Sequence, residues 1–189
     1  WDIFSFREKN QSEFKKQIIK ENPSSFVIKH IQLAQEIIEE IKPKLIIVKN
    51  KEAWAYFGYF FGRDDSNLKK VRWMNYKYED IGDIPCGETR YELKRIIGIH
   101  DGYDLNAIQG GQTSISGAKV LFMPHINQYM KKENRPSAQW LKDIIEKYKP
   151  DAMAVEELFW NTNQKTGIPV AEARGVILLA ASMNGIPVY

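Results

Sequence analysis

Residues 150–175 read PDAMAVEELFWNTNQKTGIPVAEARG. The run Ala152, Met153, Ala154, Val155 has strand length and no polar face, as expected of a strand buried within a parallel sheet. Glu156 and Glu157 follow at its carboxyl end. That end is where ligands bind in open α/β sheets. A carboxylate there is costly unless paired, solvated or bound to a metal. Upstream, Trp140, Leu141, Ile144, Ile145 and Tyr148 recur at helical spacing, and Pro150 stops the helix. Downstream, an Ala-rich apolar stretch predicts a helix over 171–184 with Gly185 as its C-cap. Residues 186–189 then begin another strand.

The same grammar appears earlier. Phe26, Ile31, Ala34, Ile37, Ile38 and Ile41 predict a helix over 24–42, started by Pro23 and Ser24 and ended by Pro43. Residues 45–48 (LIIV) read as a buried strand, 52–61 as a helix and 62–66 as a turn. The middle is ambiguous: 91–97 suits a short helix or a strand, and 101–117 reads as a long polar loop. Residues 119–123 (KVLFM) predict another buried strand, ended by Pro124 and His125. Helix, Lys-Pro, buried strand thus occurs twice, at Lys42-Pro43 and Lys149-Pro150. This echo is shared α/β grammar. The predicted class is α/β, layered αβα with mostly parallel strands.

Bulk properties narrow the function classes. The chain has 189 residues, 43% hydrophobic and 27% charged, which is ordinary globular composition. No stretch approaches the roughly 20 apolar residues that span a bilayer. Cys86 is the only cysteine, so neither an intrachain disulfide nor a cysteine-based zinc site can form. That suits a reducing cytoplasm, and Cys86 reads as a small packed residue. A net charge of +3 and a pI near 8.8 permit contact with nucleic acid.

The string around Glu156 resembles the RuvC family of Holliday-junction resolvases. A strand ends in Glu156, an aromatic follows at Phe159, then an Asn- and Lys-bearing loop, then a helix opening with Ala173, Arg174 and Gly175. Leu178, Leu179, Ala180, Ala181 and residues 186–189 continue the likeness, which starts near Leu141. The resemblance implies a ribonuclease-H-like fold over this part and divalent-metal-dependent cleavage of four-way DNA junctions in recombination and repair. It assigns Glu156 as a catalytic carboxylate and ligand of Mg2+ or Mn2+, and Phe159 as the aromatic that stacks on junction bases. Asn161, Asn163 and Lys165 fall in the loop that faces DNA. Arg174 reads as a structural residue pairing with a carboxylate such as Glu172, and Trp160 as a packing aromatic. A homodimer is the expected assembly.

The chain departs from the family's pattern in its other acids. That family opens with a strand bearing Asp-Pro-Gly, which is absent here, and two further acidic ligands would lie beyond Tyr189. One of four catalytic carboxylates is therefore matched. Asp80, Asp83, Asp101 and Asp104 are the available substitutes, and none follows a clear strand.

Residues 1–135 do not match that family. The stretch 41–57 and the strand before His125 weakly resemble uncharacterised proteins of the uracil-DNA glycosylase superfamily. That likeness implies a base pocket to which Asn50, Phe57 and His125 would contribute edge contacts and stacking. Against it, Asn50 reads as a strand-end cap and His125 as a loop residue. The expected organisation is an α/β domain over 1–135 and a partial RuvC-like segment over 136–189. The two are either a natural pair or a join of two fragments near Asn134-Arg135-Pro136. Two functions compete: a RuvC-like endonuclease fragment, and a glycosylase-like or non-catalytic DNA-binding domain with a RuvC-like tail.

Overall fold

The structure is a computed structural model and describes residues 25–49, 51–59, 74–100, 112–123, 130–153 and 164–188. The chain forms two compact units. One comprises Met130–Tyr189 together with Cys86–Thr89. The other comprises Ile3–Pro85 and Arg90–Tyr129.

In the larger unit, helix α1 spans Ser25–Ile41. It buries Val27, Ile31, Ala34 and Ile38, spaced four, three and four residues apart on one face. Gln35 is also buried there, and its amide donates to the Met74 carbonyl at 2.9 Å, so its polarity is satisfied. Lys42 ends the helix in the left-handed region (φ 51°), with its N–H closing on the Ile38 carbonyl at 3.0 Å. Strand β1 (Leu45–Lys49) follows, then the short helix α2 (Lys51–Tyr56). This helix stops well before residue 61, because Gly58 turns the chain at φ 77°. Strands β2 (Tyr76–Cys86), β3 (Thr89–Ile99) and β4 (Lys119–Met123) complete a four-stranded sheet of order β1-β4-β3-β2.

The α/β class is as the sequence indicates, and the sheet is mixed. β1 and β4 are parallel, Val48 opposite Phe122, as expected of two buried apolar runs. β3 is antiparallel to β4, Leu93 opposite Leu121, so the parallel rule does not extend across the sheet. The reason is a hairpin. β2 and β3 are joined by the two-residue turn Gly87–Glu88, with Gly87 at φ 58°. Residues 91–97 are therefore strand, not helix. The core packs α1 on one sheet face through Ile31, Ile38, Val48, Tyr76, Ile96 and Val120.

In the smaller unit, a 3-10 turn (Lys132–Asn134) precedes helix α3 (Ala138–Tyr148). The Ser137 hydroxyl caps α3, accepting from the Trp140 N–H at 3.1 Å. Lys149 closes it in the left-handed region (φ 45°), donating to the Ile145 carbonyl at 2.7 Å. Helix α4 spans Gln164–Met183, longer than the helix expected from residue 171. Gly167 and Pro169 are the breakers behind that later start. Pro169 is the sixth residue of the helix, and its missing N–H removes one rung, to the Lys165 carbonyl. Ile145, Ala180, Ala181 and Ile186 form this unit's core, with Leu141, Met153 and Val188 packed against it. Gly185 reverses the chain at φ 66°, and Met153 then pairs in parallel with Val188.

Candidate nucleic-acid site

The smaller unit holds the backbone on both sides of the RuvC-like string. Met153 lies in a parallel bridge to Val188, and its N–H donates to the Pro187 carbonyl at 2.9 Å. In sequence, Glu156 stands three residues after Met153. Glu156, Phe159, Asn161 and Asn163 lie outside the described residues, as do Asn50, His125, Asp101 and Asp104. Lys165 falls in the first turn of α4, not in a loop, because the helix begins at Gln164. Arg174 is half-buried on the same helix. Among the described residues no group of three or more His, Cys, Asp or Glu side chains could hold a metal ion.

The larger unit presents a second place for a site, beyond the carboxyl ends of the parallel strands β1 and β4. Trp54 fills it. Its buried indole N–H is shared between the Val48 carbonyl at 3.3 Å and the Met123 carbonyl at 3.1 Å. Tyr59 stacks on Phe122 with ring centroids 4.2 Å apart, and its hydroxyl donates to Glu92. Lys94 is 3.0 Å from the Glu92 carboxylate, bonds Asp80, and lies 5.0 Å from the centre of the Tyr59 ring.

This cluster has no spare proton chemistry at neutral pH. Burial, reinforced by the hydrogen bond to Glu92, pushes Tyr59 up to about 12. Burial pulls the Lys94 ammonium down, but its bonds to Asp80 and Glu92 outweigh that and leave it above the ordinary lysine value. A tyrosine that stays neutral and a lysine that stays charged cannot serve as general bases. Their role is to tie β2 and β3 to the segment after α2. Sequence reasoning missed the cluster, because Glu92, Lys94 and Arg95 alternate with Leu93 and Ile96 and read as an ordinary solvated face.

One expected site feature is corrected here. Phe57 is only 5% exposed and packs on Tyr76 with ring centroids 6.4 Å apart, so it cannot stack on an extruded base. An apolar ring gains more from burial in this core than from standing at a pocket wall. Asp80 and Asp83 lie within β2, paired with Lys94 and with Arg90 (3.5 Å).

The two units are thus an α/β sheet domain and a segment of two helices with one parallel bridge, Met153 to Val188, among its described residues. Comparison with known proteins finds a likeness that covers the second unit from Met130 and the end of the first, including β4. Residues 101–189 match the sequence model of the family described as crossover junction endodeoxyribonuclease RuvC. The RuvC enzyme of Moorella thermoacetica is 56% identical over 48 residues, 25% of this chain and 29% of that protein. That of Halothermothrix orenii is 60% identical over 47 residues, 25% of this chain and 28% of that protein. That of Carboxydothermus hydrogenoformans is 36% identical over 99 residues, 50% of this chain and 61% of that protein. The C-terminal part of the chain is therefore RuvC-like, and the likeness begins at residue 101, upstream of Leu141. The chain spans less than two thirds of the length of these relatives. No solved structure matches it.

Proposed function

We propose that this chain carries part of a RuvC-like crossover junction endodeoxyribonuclease that acts on four-way DNA junctions in recombination and repair. The observation supporting this reading is the Met153–Val188 bridge. It pairs in parallel two residues, Met153 and Val188, that lie within the span matching the RuvC family, residues 101–189. Glu156 is the carboxylate that would bind Mg2+ or Mn2+, being a hard oxygen donor of the kind these ions take. A bound ion would supply the activated water and neutralise charge on the leaving oxygen. Phe159 would stack on exposed base faces, while Asn161, Asn163 and Lys165 would contact phosphate and fix register without reading sequence.

We divide the chain into an α/β domain over 1–135 and a RuvC-like segment over 136–189, although the likeness to the RuvC family reaches back to residue 101 and so into the first of these. A four-way junction has two-fold symmetry and needs two cuts, so a homodimer with two copies of the Glu156 segment is the assembly that suits it. Among the described residues no helix is long and apolar enough to cross a membrane, and we place the protein in the cytoplasm with its DNA. The second reading, a glycosylase-like base pocket in the larger unit, loses its stacking residue with the burial of Phe57.

Two-metal cleavage needs several carboxylates holding both ions in register, and Glu156 is the one the resemblance matches. The test is incubation of the chain with a synthetic four-way junction in Mg2+ or Mn2+. The expected result is no cutting. Metal-dependent cutting that disappears in Glu156→Gln would overturn the single-carboxylate reading and assign the remaining ligands to residues 1–135, Asp101 or Asp104 first.

A further inference from the structure

We draw no further inference here: the strongest candidate, the exposed apolar stripe of Val176, Leu179 and Met183 along α4, carries nothing because no feature of the structure shows what covers it.

Discussion

Met153 and Val188, separated by the whole of α4, meet as a parallel pair, with the Met153 N–H on the Pro187 carbonyl at 2.9 Å. A parallel pair needs a crossover, and α4 supplies it. The pairing depends on the Gly185 reversal, where the Ile186 N–H donates to the Ala181 carbonyl at 3.0 Å. Gly185 sits at φ 66°, a conformation that L side chains rarely adopt. Gly185→Val is expected to cost about 1–3 kcal/mol of stability, since a β-branched residue there is strained. Urea unfolding measures it, and a change below about 0.5 kcal/mol, the range of an ordinary surface substitution, would contradict the role assigned to the reversal.

The hairpin tip gives a second prediction. Gly87 has φ 58°, and a Cβ there would collide with the Glu133 carbonyl. Beside it the Glu88 N–H donates to Asn134 Oδ1 at 2.8 Å, and Lys131 pairs with Glu88 at 2.9 Å. The ion pair is exposed and contributes little, so Lys131→Ala is expected to change stability by less than about 1 kcal/mol. Gly87→Ala is expected to cost more than that, because the backbone contact must open. Equal effects of the two substitutions in thermal unfolding would contradict this ranking.

Lys94 offers a test of the sheet's internal ion cluster. Its side chain is 10% exposed and is shared by Asp80 and Glu92. Lys94→Met keeps the stem and removes the charge, leaving Glu92 with the Tyr59 hydroxyl. The expected loss is about 2 kcal/mol, the range for a hydrogen bond to a charged group that is not fully exposed. Unchanged urea stability would show that the cluster is replaceable by apolar packing.

Three tyrosines carry a pH dependence. Burial raises Tyr59 to about 12 and holds Tyr76 and Tyr78 above the ordinary tyrosine value. A raised folded-state value means that the native state holds the proton more tightly than the unfolded chain. Their stabilisation is therefore complete below about pH 10, the unperturbed tyrosine value, and is lost as pH rises toward the folded values. Of the nine tyrosines, these three are expected to ionise late or only with unfolding in an absorbance titration. All nine titrating together near the ordinary value, with the fold intact, would contradict their burial.

Much of the helical and parallel-strand framework was legible in the sequence because it follows local rules. Lys42-Pro43 and Lys149-Pro150 each end a helix with a left-handed lysine, and each lysine's N–H closes on a carbonyl four residues back. The hairpin was not legible. β2 is an edge strand and carries Glu79, Asp80, Gly82, Asp83 and Pro85, which edges tolerate but which hide strand alternation. The start of α4 was not legible, because Gly167 and Pro169 disfavour a helix locally and yet lie within it. The RuvC-like string around Glu156 was legible because many positions agree in order. Its upstream extent to residue 101 was not, because that region is Gly-, Asn- and Gln-rich and offers no periodicity.

The central claim, that the segment around Glu156 recognises junctions, is tested most directly by binding. The measurement is the affinity of the chain for a synthetic four-way junction and for a duplex of the same sequence at one fixed salt concentration, with and without Phe159→Ala. Backbone contacts alone bind both and weaken together as salt rises. Base stacking of about 1–3 kcal/mol, roughly tenfold per 1.4 kcal/mol, adds affinity only where base faces are open. The account predicts tighter binding to the junction, and a loss of about tenfold in Phe159→Ala that is confined to it. Equal affinity for junction and duplex, unaltered by Phe159→Ala, would contradict it.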